Sequence, residues 1–222
     1  MGLAESLRVA FPGPHPAGRP FLIAAAVVLV VGLFVAHALA VIGLAALLFC
    51  LFFFRDPARV APPRAGAVVA PADGRVVTVG PAVPPAELGL GDAPLPRVGI
   101  FLSVLDVHVN RIPADGVVTR IAYRHGRFVN ASLDKASEEN ERNALAIRLP
   151  DGRMLAVVQI AGLIARRILC DVHEGEAVRT GARFGIIRFG SRTDLYLPAG
   201  TVPLVVPGQR MVGGETVIAE LA

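Results

Sequence analysis

Gly185-Ile186-Ile187-Arg188-Phe189-Gly190-Ser191-Arg192-Thr193-Asp194-Leu195-Tyr196-Leu197-Pro198 reads as two strands joined by a small step. Ile186 to Phe189 is a short apolar run, Asp194 to Leu197 alternates, and Pro198 ends the second strand because proline has no amide N–H to pair. The step between them is Gly190-Ser191, flanked by Arg188 and Arg192. A tight turn in a β-protein accounts for it. A second reading is chemical: the Ser191 hydroxyl can attack the Gly190 carbonyl, since glycine has no Cβ to obstruct the approach and tolerates a strained backbone. The peptide link would become an ester. Removal of the serine α-proton would then eliminate that ester and leave a pyruvoyl group, a ketone that can act as an electron sink for decarboxylating amino acids.

The rest of the chain bounds these readings. Its 222 residues suit one catalytic domain with an appendage. A mean hydropathy of +0.59 is too apolar for an ordinary soluble domain. The net charge of +4 comes from arginine, because Lys135 is the only lysine. A pyridoxal phosphate enzyme needs a lysine for its resting Schiff base, and the one candidate sits in a very polar stretch. A basic balance suits an anionic membrane surface or nucleic acid, but no aromatic-interleaved basic stripe supports nucleic acid as a partner. Cys50 and Cys170 are far apart in sequence and suggest neither a disulfide framework nor a metal site.

Residues 1–20 form a Gly/Pro-rich lead-in. The tract from Phe21 to Phe54 is apolar except for His37, Gly32 and Gly43. As one helix it would run to roughly 50 Å, well beyond a hydrocarbon core of ~30 Å. Two helices folding back near Ala36-His37-Ala38 fit better, with His37 as a turn residue; the alternative is a single tilted span. Arg8 and Arg19 before the tract and Arg55, Arg59 and Arg64 after it put both ends on the cytoplasmic face of the cell membrane. This gives an expected hydrophobic membrane-associated segment at 21–55 and a catalytic domain at 56–222. Beyond the linker, short β-type runs at 67–69, 75–79, 98–102, 107–112, 117–123, 144–149, 154–160, 186–189, 194–197, 202–206 and 216–219 alternate with Gly and Pro. The expected fold is therefore mainly β, a barrel- or sandwich-like catalytic domain with an N-terminal hydrophobic helical hairpin. Ser132 to Arg142 is the best place in it for a turn or two of helix.

Pro71-Ala72-Asp73-Gly74-Arg75-Val76 and Pro113-Ala114-Asp115-Gly116-Val117-Val118 echo one another as turns that feed strands. Either aspartate is explained by its turn, and the local pattern does not separate them. A base for Ser191 would come from His108, His125 or His173. Strand alternation through 101–113 would set Asp106, His108 and Asn110 on one face. His173 reads as a loop residue, and His125, between Arg124 and Arg127, could help hold a phosphate. The polar run from Asn130 to Asn143 is a solvated loop or helix, or a contact for a polar head group.

Taken in order, Pro71-Ala72-Asp73-Gly74, the strand from Leu102 to Pro113, the segment from Asn130 to Asn143 and Phe189-Gly190-Ser191 resemble the short bacterial and archaeal form of the phosphatidylserine decarboxylase proenzymes. The resemblance covers the chain from about Pro62 to its end. It implies self-cleavage between Gly190 and Ser191, giving a β chain that ends at 190 and an α chain that begins at 191. The α chain would open with a pyruvoyl cofactor made from Ser191, which forms a Schiff base with phosphatidylserine in the membrane. The family's catalytic aspartate, histidine and serine map onto Asp73, His108 and Ser191, with no metal. Longer members carry a second histidine three residues after the first, where this chain has Arg111. Arg111, Arg188 and Arg192 are candidates for the phosphodiester or carboxylate. The implied product is phosphatidylethanolamine, made with release of carbon dioxide in phospholipid biosynthesis, and a homodimer is left open. The competing reading is a membrane-anchored lipoyl- or biotinyl-like carrier or adaptor, with Asp134-Lys135-Ala136 as its attachment turn. Against it, Lys135 lies inside a long polar run rather than at a hairpin tip.

Overall fold

A computed structural model describes residues 12–126, 140–162, 167–188 and 191–221. The chain divides into two compact units, Met1–Ala58 and Arg59–Ala222.

In the first unit a 3-10 turn at Pro16–Gly18 leads into helix α1 (Arg19–Val35), followed by α2 (His37–Phe53). Ala36 is extended and breaks the run, so the expected fold-back occurs there, with His37 as the first residue of α2 rather than within a turn. The two helices pack antiparallel. A Cβ on Gly32 would sit 2.2 Å from the Ala40 nitrogen, and one on Gly43 would sit 2.3 Å from the Leu29 nitrogen, so glycine at both places lets the backbones meet. The ends are fastened by a hydrogen bond from His15 N to Phe54 O (2.7 Å) and by stacking of Phe21 on Phe54. Outward side chains stay apolar, with Phe34, Val35, Ile23 and Val41 all exposed. Pro16–Val35 is long and apolar enough to cross a membrane, and His37–Phe53 is a shorter apolar helix.

The second unit is mainly β. Its strands are β1 (Ala67–Val69), β2 (Gly74–Ala82), β3 (Leu95–Leu102), β4 (Val109–Arg111), β5 (Gly116–Arg124), β6 (Arg142–Arg148), β7 (Met154–Ala161), β8 (Ile168–Cys170), β9 (Ala177–Val178), β10 (Arg183–Ile187), β11 (Ser191–Tyr196), β12 (Arg210–Met211) and β13 (Val217–Glu220). Eight of them form one sheet in the order β12-β2-β3-β11-β7-β6-β5-β9, while β4-β10-β8 and β1-β13 form smaller sheets. The described pairings are all antiparallel. One face of the large sheet packs against the small sheets through Val76, Ile100, Leu145, Val157 and Leu195, which meet Val68, Phe184 and Ile218. The other face carries a second cluster around Val158, Ile160, Tyr196 and Leu88. Leu195 and Tyr196 fall in different clusters because successive residues of a strand point to opposite faces.

The repeated turns are structural counterparts. Val69 N donates to Pro113 O and Arg111 N to Pro71 O, both at 2.8 Å, so the two segments run antiparallel against each other. Asp73 Oδ1 accepts Gly213 N, and Asp115 Oδ1 accepts Thr180 N, both at 2.7 Å.

Two expectations need correction. Val202 to Val206 is not a strand. Its apolar residues alternate, but Pro203 and Pro207 remove amides a ladder would need, and Val202, Leu204 and Val206 are exposed. The strand expected over 107–112 shortens to Val109–Arg111, and Asp106 lies in a turn. Most of the polar run, including Lys135 and all but the end of the turn expected over Ser132 to Arg142, lies outside the described residues.

Candidate active site

Ser191 opens β11, which lies between β3 and β7 in the middle of the large sheet. It pairs with Leu102 on one side and Ala161 on the other. The side chain is fully buried on the face that meets the small sheets, and its hydroxyl finds no hydrogen-bond partner among the described residues. Leaving a buried hydroxyl unmatched costs about 1–3 kcal/mol, which makes this a position to explain. Gly190, the other half of the expected cleavage site, lies outside the described residues, as does Phe189.

Of the three candidate histidines, burial favours one. His108 is fully buried, whereas His125 and His173 are exposed beside Glu141 and Glu176. His108 precedes β4, and its carbonyl accepts Ile187 N at 3.3 Å, which ties it to the strand that leads toward Ser191. Its Nδ1 lies 2.9 Å from the backbone oxygen of Asp106. A carbonyl oxygen can only accept, so Nδ1 carries the proton and Nε2 keeps the lone pair a general base requires.

The turn that supplies this carbonyl is tightly held. Asp106 Oδ2 accepts Ser103 N (2.8 Å) and Ser103 Oγ (2.7 Å), and Asp106 Oδ1 accepts Arg210 Nη2 (2.6 Å). The sequence reading placed Asp106 beside His108 on a strand face; in the structure it fixes the turn, and its main chain orients the ring. Spacing gave a clue to this, since serine three residues before aspartate is a turn-capping pair.

Asp73 accepts Arg59 Nη2 at 2.8 Å on Oδ2 and Gly213 N on Oδ1. The contact between Pro71 and Arg111 sets its turn against β4, which begins one residue after His108. Its counterpart Asp115 is held by Thr180 N and Thr180 Oγ1 (2.8 Å), and these hydrogen bonds keep its carboxyl below the ordinary value. A carboxyl depressed on folding adds stability above its unfolded value, and that stability is lost as pH falls through the folded one. Asp115 is thus explained as a turn residue, whereas Asp73 is also hydrogen-bonded by a guanidinium.

The arginines separate as well. Arg192 is fully buried on the face opposite Ser191, with Nε 2.5 Å from Asp194 Oδ1 and Nη2 2.9 Å from Thr78 Oγ1. Arg111 is buried and donates to Gly181 O at 2.9 Å. Arg188 is half-buried next to Arg167, whose carbonyl accepts its N–H; burial first, and the Arg167 charge second, hold its guanidinium below the ordinary value. The polar run expected to be solvated is buried at its end, where Asn140 and Asn143 are each 1% exposed and Asn143 lies on β6, and buried Gln159 is a polar residue the sequence reading did not single out. Asn143 and Gln159 both occupy inward positions of alternating apolar strands, where an amide stands out.

The phosphatidylserine decarboxylase family model matches residues 46–219. Phosphatidylserine decarboxylase proenzymes are among the similar proteins. That of Granulibacter bethesdensis is 69% identical over 221 residues, covering 100% of this chain and 91% of the relative. Those of Gluconacetobacter diazotrophicus and Gluconobacter oxydans are 60% and 58% identical, each over the full length of both proteins. On this evidence the chain belongs to the phosphatidylserine decarboxylase family.

Proposed function

We propose that the chain is a self-cleaving phosphatidylserine decarboxylase, converting phosphatidylserine to phosphatidylethanolamine and carbon dioxide. The observation that carries this reading is Ser191, wholly enclosed at the head of the central strand with its hydroxyl unmatched. His108 Nε2 takes the hydroxyl proton as Oγ bonds to the carbonyl carbon of residue 190. The C–N bond then breaks, and the freed nitrogen takes the proton. Loss of the α-proton breaks the Cβ–Oγ bond, so residue 190 departs as a carboxylate. Water hydrolyses the remaining dehydroalanine with loss of ammonia to a pyruvoyl end. Asp73 completes the set as its acidic member, on the turn that the Pro71–Arg111 hydrogen bond sets against β4. Once formed, the pyruvoyl group supplies the electron sink for decarboxylation. The enclosure of Ser191 in the uncut chain means that cleavage precedes substrate access.

Arg188 is the arginine best suited to the anionic head group, because two like charges beside each other favour an anion between them. Arg188→Met should raise KM for phosphatidylserine vesicles roughly tenfold while chain cleavage continues, equivalent to ~1.4 kcal/mol. The apolar helices hold the enzyme at the cytoplasmic face of the membrane, where acyl chains stay in the bilayer and only the head group need reach the site.

Intact-mass measurement of the purified protein tests the reading. The expected result is two fragments divided between 190 and 191, the shorter one having the mass of a pyruvoyl terminus and reacting with hydroxylamine. A single chain of unchanged mass, inactive on phosphatidylserine vesicles, would refute it.

A further inference from the structure

The inward face of the large sheet carries buried polar side chains that the chemistry above leaves unused. Asn143 on β6 pairs with Gln159 on β7, which pairs with Thr193 on β11. Ser191 lies two residues before Thr193 and so shares its face. Asn143 Nδ2 donates to Gln159 Oε1 at 2.9 Å, and Gln159 Nε2 donates to Asn110 Oδ1 at 2.7 Å. Asn110 comes from β4 in the facing three-stranded sheet, so the relay crosses the core. None of these five side chains is more than 1% exposed.

The relay runs head to tail and ends on Asn110 Nδ2, a donor with no acceptor among the described residues. Thr193 Oγ1 and Ser191 Oγ are likewise unmatched. Thr193 lies across from Gln159, which bonds Asn110, and shares its face with Ser191, so these orphaned groups border one region. A relay serving packing alone would close on itself, since an unmatched buried polar group is costly. His108, the base, lies two residues before Asn110.

We infer that Asn110, positioned by Gln159 and Asn143, donates to the oxygen that becomes negative when Ser191 attacks the carbonyl before it, with the Thr193 hydroxyl as a second donor. This rests on the self-cleavage reading. As Oγ bonds to the carbonyl carbon, the C=O electron pair moves onto that oxygen and the Oγ proton passes to His108. The pair returns when the C–N bond breaks and the proton passes to the nitrogen. A donor left open in the ground state stabilises the charged oxygen more than the neutral one, which is the condition for lowering the barrier.

The test follows chain cleavage in the full-length protein and two variants. Asn110→Asp keeps the shape but replaces the terminal donor with an acceptor. Gln159→Glu leaves Asn110 intact, but a glutamate there accepts from both neighbouring amides and turns Asn110 Nδ2 away from Ser191. Both should cleave about 100-fold more slowly, as expected for loss of one oxyanion donor. Their melting temperatures, measured in the uncleavable Ser191→Ala background, should stay within a few degrees of that parent. Hydroxylamine cuts an ester but not an amide, so it should leave the slowed variants intact. Cleavage at the parent rate, or rapid cutting by hydroxylamine, would overturn the inference; the latter would put the defect after ester formation. Thr193→Val keeps shape and burial and should slow cleavage about tenfold. If the amide variants fail to fold, an unchanged rate in Thr193→Val overturns the inference. Failure of the parent itself to cleave would instead refute the self-cleavage reading.

Discussion

Replacing Ser191 with alanine is expected to leave one uncut chain of 222 residues with decarboxylase activity lowered at least about 10⁴-fold, the loss typical when a nucleophile is removed. Two independent requirements fail together. Without Oγ no ester forms, and without a Cβ–O bond there is nothing to eliminate. The fold should survive, because Ser191 contributes main-chain pairing to Leu102 and Ala161 and its hydroxyl bonds to no described residue. Melting should therefore be a single cooperative transition that does not depend on concentration. Ser191→Cys and Ser191→Thr keep a nucleophile at the same carbon and should cut slowly. Gel electrophoresis and intact mass check all three, and an alanine variant that still yields two fragments would end the model.

The second large effect concerns stability. Arg192→Ala should destabilise the β unit by about 3–5 kcal/mol, because it leaves a buried carboxylate without its close partner. Arg192 and Asp194 are at most 1% exposed, and Arg97 approaches the other Asp194 oxygen only at 3.7 Å. The surroundings are built for the pair: a Cβ on Gly99, across from Asp194, would fall 2.6 Å from Arg192 Nη2 and 2.9 Å from Asp194 Oδ1. In the Ser191→Ala background, where cleavage cannot complicate unfolding, the melting temperature should fall by roughly 10 °C. Replacing the pair together, Arg192→Met with Asp194→Leu, should recover most of that loss, since apolar substitutes of similar volume avoid the desolvation cost. A drop of under about 2 °C for Arg192→Ala would show that the pair contributes little.

Much of the β unit was legible because its strands alternate. Leu95–Leu102, Met154–Ala161 and Ser191–Tyr196 extend the expected runs by a few residues at most. Ile168–Cys170, Ala177–Val178 and Arg210–Met211 escaped because two or three residues carry no periodicity and exist only through their partners. Val202 to Val206 misled because alternation reports side-chain direction but not whether amides are free to pair. Ser191 and His108 could be singled out by residue type and neighbours. The Asp106 carbonyl that sets the His108 tautomer is only two residues away but depends on a turn where a strand was expected, and the amide relay, Gln159 to Asn110 across 49 residues and Asn143 to Gln159 across 16, is a product of tertiary contact.

A cut before Ser191 would not set the short fragment loose. It would hold β11 between β3 and β7, β12 against β2 and β13 against β1, so all three of its strands are stitched to partners in the longer piece. Such a product stays assembled, but its two pieces have lost the covalent tether that brought them together. Once separated in denaturant they can reunite only by collision, so recovery should depend on concentration, whereas the uncut Ser191→Ala chain refolds as one body. Such a cut would tie recovery from damage to abundance, a dependence that the uncut chain escapes.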